Sequence, residues 1–234
     1  MSRKSRRNQP GPENRAPHTG RTRRTGILYA GVAALLLAIV ATGLWYPRNR
    51  SSSGDGAEQA ALASTESPTL GNATAKVHVV EFIDPACETC ALFFPLVKQV
   101  MAENQGKIRL SVRHVAFHNG SDYVVRLLEA SRKQDKYWQT LETLLASQSQ
   151  WAPDHTVQPE LVGVVIENLG LNIGQLKADM NSPEVAARVQ QDANDAVTMK
   201  VTATPEYFVN GRPLPSFGEE QLLALVNDEL QRAY

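Results

Sequence analysis

The feature that most constrains this chain is a pair of cysteines, Cys87 and Cys90, the only two among 234 residues, set two residues apart where one kind of periodicity gives way to another. Before them, Val77 to Ile83 (VHVVEFI) is a short, β-branched, mostly apolar run that reads as a strand. From Cys87 to Glu103 the apolar residues Leu92, Phe93, Leu96, Val97 and Val100 recur at helical spacing. A second strand-like run, Ile108 to Phe117, completes a βαβ unit. A disulfide across so short a gap closes too small a loop to restrain the unfolded chain much. The same gap suits thiol–disulfide exchange. Cys87 would sit at a helix N-terminus, where unpaired N–H groups and the positive end of the dipole favour a thiolate, and Cys90 one turn on, placed to attack a mixed disulfide formed at Cys87.

Downstream the pattern is helical. Ser121 to Lys133 and Lys136 to Ser147 carry apolar residues at three- and four-residue intervals, Pro159 suits a helix start and Gly170 follows its end. Asn172 caps a short helix to Met180, and Ser182 with Pro183 opens another to about Met199. The sheet resumes at Glu206 to Val209, turns at Asn210-Gly211, and is followed by an amphipathic helix with Leu222, Leu225, Val226 and Leu230. The order predicts one α/β domain, residues 68–234, interrupted by a helical insertion over about 121–199. Thr204-Pro205 leads directly into the last sheet segment. Its X-Pro bond is either cis or an ordinary trans bond that punctuates the strand.

The N-terminal third is different in kind. Residues 1–50 hold ten basic residues and one acid, leaving 14 basic and 23 acidic residues, a net of −9, for the remainder. That acidic body argues against nucleic-acid binding, which needs clustered Lys and Arg. Residues 1–25 are too polar to fold and read as a disordered basic cytoplasmic tail. Ile27 to Tyr46 then runs twenty residues without a charge, the length of a bilayer-spanning helix. The segment 26–46 therefore reads as a transmembrane anchor, with Trp45 and Tyr46 at the interface. The excess of basic residues before it predicts a cytoplasmic N-terminus and an exported C-terminal body. A cleaved signal peptide is the competing reading, and it exports the body equally. Residues 47–67, rich in Ser, Gly and Ala, read as a flexible linker.

Taken together, VVEF at Val79 to Phe82, CETC at Cys87 to Cys90, the Phe94-Pro95 step, the helical block and TPEYFVNG at Thr204 to Gly211 resemble the DsbA-like branch of the thioredoxin superfamily, over about Thr69 to Ala233. The resemblance implies a thioredoxin-like fold with an inserted helical block, and a thiol–disulfide oxidoreductase with Cys87 as nucleophile and Cys90 as resolving thiol. It implies that Thr204 and a cis Pro205 flank the pair and hold an extended substrate. Glu81, six residues before Cys87, matches the buried acid that relays the proton of the resolving cysteine; a solvated strand carboxylate is the plain alternative. Glu88 and Thr89 stand where strongly oxidising members have Pro-His, and a carboxylate beside Cys87 is expected to raise its pKa and make a weaker oxidant. No cofactor beyond the Cys87–Cys90 disulfide is implied. The expected partners are thiols or disulfides of exported proteins, a membrane redox partner and, through the anchor, the lipid bilayer of a bacterial inner membrane; the expected state is a monomer.

A CxxC is also half of a zinc site, but His78, His114, His118 and His155 show no spacing that completes one, and no metal is expected. His114 and His118 read as ordinary polar residues, and Trp138 and Trp151 as packing groups. The remaining alternative from another class is a non-catalytic, membrane-tethered binding module in which the cysteines form a static disulfide.

Overall fold

The computed structural model describes residues 58–64 and 66–234. The expected basic tail, the Ile27–Tyr46 span and the start of the linker lie outside the described residues, among which no helix is long and apolar enough to cross a membrane.

The chain runs from a helical turn α1 (58–62) through β1 (Thr69–Gly71), β2 (Val77–Ile83), α2 (Glu88–Glu103) and β3 (Ile108–His114). Five helices follow: α3 (Ser121–Ser131), α4 (Tyr137–Ala146), α5 (Gln148–Trp151), α6 (Pro159–Ile166) and α7 (Ile173–Met180). The long α8 (Pro183–Thr198) leads back to β4 (Glu206–Val209), β5 (Arg212–Pro213) and α9 (Glu219–Ala233). The sheet order is β1-β3-β2-β4-β5. β2 and β3 are parallel, as their helical crossover requires, and the other pairs are antiparallel.

Alternation along β2 and β4 sorts side chains to two faces. Val77, Val79, Ile83, Tyr207 and Val209 join a large core with α2, α9 and the helical insertion, which closes around Trp151. Val80, Phe82 and Phe208 face the other way onto Leu62, Val115, Ala196 and Val201. The last insertion helix, α8, packs on α3 and α7 through Val185 and Val189 and reaches the second face with Ala196, and α1 covers part of the same face. Trp151 is fully buried and its Nε1 donates to the Leu144 carbonyl at 2.9 Å, whereas Trp138 is half-buried.

Several boundaries follow the local chemistry. Asn172 and Ser182 cap their helices by accepting from the backbone N–H of Gln175 and Val185. Asn210 and Gly211 both have positive φ, 48° and 83°, as a two-residue hairpin of the favoured hand requires. Pro95 sits inside α2, which runs through it unbroken. Two sequence expectations are corrected. β3 ends at His114 rather than Phe117, because the backbone N–H groups of Phe117 and His118 turn to the Asp84 carboxylate. The linker expected to extend to Ser67 gives way to helix already at residues 58–62. There Ala61 and Leu62 are buried and the Ala61 carbonyl accepts from Arg113 Nη1 at 2.6 Å.

Candidate active site

Cys87 is the N-cap of α2, with extended backbone (φ −82°, ψ 117°) and its own N–H donating to the Asp84 carbonyl at 3.0 Å. This places its sulfur against the unpaired amides of the first turn, including those of Thr89 and Cys90. Cys90, fully buried one turn in, faces the same sulfur, and both cysteines are free thiols. From the other side comes the segment before β4. The Thr204-Pro205 bond is cis, and the Thr204 carbonyl lies 3.3 Å from Cys87 Sγ, accepting from the thiol when it is protonated. Segments 117 residues apart in sequence thus converge on one sulfur.

The electrostatics separate the two thiols. A hydrogen bond from Cys90, aided by the Thr204 side chain and the helix amides and opposed by burial, draws Cys87 down to about 5. Burial, and then the neighbouring Cys87, push Cys90 far above the ordinary thiol range. Glu88, expected to raise Cys87, is exposed to solvent, and the largest influences on that sulfur are other groups. The low value of Cys87 comes from donors aimed at the sulfur. Thr89 contributes through its backbone amide.

Glu81 pairs with Val112 on one side and Tyr207 on the other, in the middle of the sheet, and is fully buried. It is therefore not a solvated strand carboxylate. Burial raises it to about 8, against the pull of a 3.0 Å hydrogen bond that Tyr207 Oη donates to its Oε1. Its Oε2 has no partner, and its charge is felt at Cys90. A buried carboxyl group that keeps its proton into the neutral range, close enough for its charge to act on the buried thiol, is suited to exchange a proton with it.

Two histidines read as ordinary polar residues take specific places. His114 is buried, bonded through Nε2 to Tyr137 Oη at 2.8 Å, and burial lowers it to about 4. His118 pairs through Nδ1 with Asp84 Oδ2 at 2.8 Å and stacks on His155. Asp84 itself escaped the sequence reading; an Asp before Pro reads as a turn residue, and its five donors come mostly from distant positions. Among the described residues no cluster of His, Cys, Asp and Glu could hold a metal ion.

A dithiol pair at a helix N-terminus, facing a cis-proline just before the neighbouring strand of a five-stranded mixed sheet, defines a thioredoxin-type thiol–disulfide site. Comparison with known proteins agrees. The family model described as Thioredoxin matches residues 63–228, and the chain belongs to that family. Disulfide bond formation protein D of Bacillus subtilis is 27% identical over 192 residues, which cover 78% of this chain and 86% of that protein. The solved structure of oxidised BdbD from Bacillus subtilis superposes with a TM-score of 0.61 at 26% identity, over 70% of this chain and 93% of that one. The Na(+)/H(+) antiporter NhaA of Herminiimonas arsenicoxydans is 32% identical over 144 residues, 62% of this chain but only 22% of the antiporter. The chain thus spans about a fifth of the length of that relative. Within its family it is a thiol–disulfide oxidoreductase of the DsbA/BdbD kind.

Proposed function

We propose that this protein is an extracytoplasmic thiol oxidase, which passes the Cys87–Cys90 disulfide to exported proteins and is held at the bacterial cytoplasmic membrane by Ile27–Tyr46. The observation that carries the direction is the set of donors on Cys87, which favours its thiolate and with it the reduced form of the pair. A pair that prefers to be reduced gives its disulfide away.

In the forward reaction a substrate thiolate attacks Cys87 Sγ. The Cys87–Cys90 bond breaks, and Cys90 leaves and takes a proton from neutral Glu81. Thr204 and Pro205 line the extended segment carrying the mixed disulfide. A second substrate thiolate then attacks the substrate's sulfur, and Cys87 leaves as a stabilised thiolate. Two electrons pass from the substrate to the pair, and a membrane redox partner would remove them. No bound cofactor enters the scheme, and a monomer suffices for it. The relatives named for disulfide bond formation support the same direction.

The test is the equilibrium reduction potential of the pair against glutathione, with Cys87→Ser as the blank. A value between about −180 and −120 mV, the span from protein disulfide isomerase to DsbA, is expected. A value near −230 mV or below would make the protein a reductase, and a pair that does not exchange at all would make it a tethered module with a static disulfide.

A further inference from the structure

The turn that delivers Cys87 to its helix, residues 84–86, is held by more than its own backbone. Asp84 is fully buried and its carboxylate collects five hydrogen bonds. Oδ1 accepts from the Ala86 N–H at 2.8 Å and from Ser121 Oγ at 2.7 Å. Oδ2 accepts from the backbone N–H groups of Phe117 and His118 at 2.7 and 2.9 Å, and faces His118 Nδ1 at 2.8 Å. The main chain of the same residue reaches both cysteines: its carbonyl takes the Cys87 N–H at 3.0 Å, and its N–H is directed at Cys90.

The turn is gripped a second time from the helical insertion. His118 stacks on His155, ring centroids 4.9 Å apart, and His155 Nδ1 lies 3.3 Å from the Ala86 carbonyl. Gln148 Nε2 donates to the Pro85 carbonyl at 2.8 Å. The Pro85 and Ala86 carbonyls and the Asp84 carboxylate are therefore each held by residues that follow β3. A carboxylate with two oxygens serving five donors in a fixed arrangement tolerates little displacement, because any shift strands a buried donor. Folding alone would be served by an apolar turn here, since a buried charge is costly even when well satisfied. The same carboxylate stands beside two sulfurs whose relative position decides their reactivity.

We propose that Asp84, braced by His118 and His155, is a positioning residue for disulfide exchange: it fixes the turn so that Cys87 Sγ meets Cys90, Thr204 and the amides of α2 together. It rests on the oxidoreductase reading of the cysteine pair. The charged and titratable groups around that pair are Glu81 on β2, Tyr207 on β4, Glu88 on α2, and Asp84, His118 and His155; only the last three hold the turn to the segment that follows β3.

The test uses the full-length protein in detergent micelles and measures the pH profile of Cys87 alkylation by iodoacetamide, together with the glutathione equilibrium. Asp84→Asn keeps the shape but sets an amide against the donors. The expected result is an alkylation midpoint raised by on the order of one pH unit and a glutathione equilibrium shifted roughly tenfold toward the disulfide. Asp84→Glu is expected to recover part of the shift, and His155→Ala to move it the same way by less. Folded Asp84→Asn and His155→Ala proteins with the wild-type midpoint and equilibrium would overturn the proposal. If Asp84→Asn does not fold, His155→Ala decides alone. A wild-type midpoint near that of an ordinary thiol, about 8.5, would instead count against the oxidase reading; the brace is judged only on the difference between variant and wild type.

Discussion

Glu81 and Cys87 are displaced from their ordinary values in opposite senses, and the consequence is a pH dependence that neither shows alone. Glu81, raised to about 8 mainly by burial, keeps its proton in the folded state while the unfolded chain loses it above about 4.5. Between those values the native state binds the extra proton, so this residue's contribution falls as pH rises, by about 1.4 kcal/mol per pH unit. Cys87, lowered to about 5 by its donors, is deprotonated in the folded state while the unfolded thiol is still protonated. Its contribution is therefore lost as pH falls through 5, and it grows as pH rises toward the unfolded thiol value. In the reduced protein the two trends oppose each other between pH 5 and 8. Urea melts across that range should give a shallow profile for the wild type, a stability that falls with pH for Cys87→Ser, and one that rises with pH for Glu81→Gln. Parallel profiles for all three would mean that the two groups do not titrate as their surroundings dictate.

The join between β3 and α8 shows how elements distant in sequence are locked together. Arg113 is fully buried; its Nε donates to Asp192 Oδ1 at 2.6 Å, its Nη2 pairs with Asp195, and Asp192 Oδ2 also takes the His114 N–H at 2.8 Å. Removing the cation leaves two acids unpaired at the second sheet face, a loss of about 3–5 kcal/mol. Arg113→Met should therefore lower the urea midpoint by that equivalent and speed amide exchange in residues 58–62, which lose the Arg113 bond to Ala61. An unchanged midpoint would show that the acids relax to solvent. The same join explains what could be read in advance. Helices with a side-chain cap and a regular apolar stripe, such as those opened by Asn172 and Ser182, declare themselves locally. β1, three residues long, exists because it pairs with β3, and α1 because Arg113 and the second core receive it, so neither has a local signature. At the site, Cys87, Cys90 and Pro205 are legible because spacing and strand position carry their meaning. Asp84 is not, since its partners at 117, 118 and 121 arrive only through the fold. Glu88 is adjacent to Cys87 in sequence but exposed, so solvent screens its charge.

For the molecule as a whole, redox state and folding are two legs of one thermodynamic cycle. The folded pair and the same cysteines in the unfolded chain both exchange with glutathione, so any preference of the fold for the dithiol must appear as extra stability of the reduced protein. Each 30 mV by which the folded pair is the more oxidising corresponds to about 1.4 kcal/mol. In a domain of this size that is a difference in melting temperature of roughly 3–6 °C. The donors around Cys87 act in the folded state alone and favour its thiolate, hence the reduced pair, over the disulfide. The reduced protein should therefore melt above the oxidised protein in paired calorimetric scans at pH 7, with Cys87→Ser insensitive to reductant. The opposite order would mean that the fold is built around the closed disulfide. In that case the low pKa of Cys87 would serve attack on substrate disulfides, and electrons would run from this protein to its substrates.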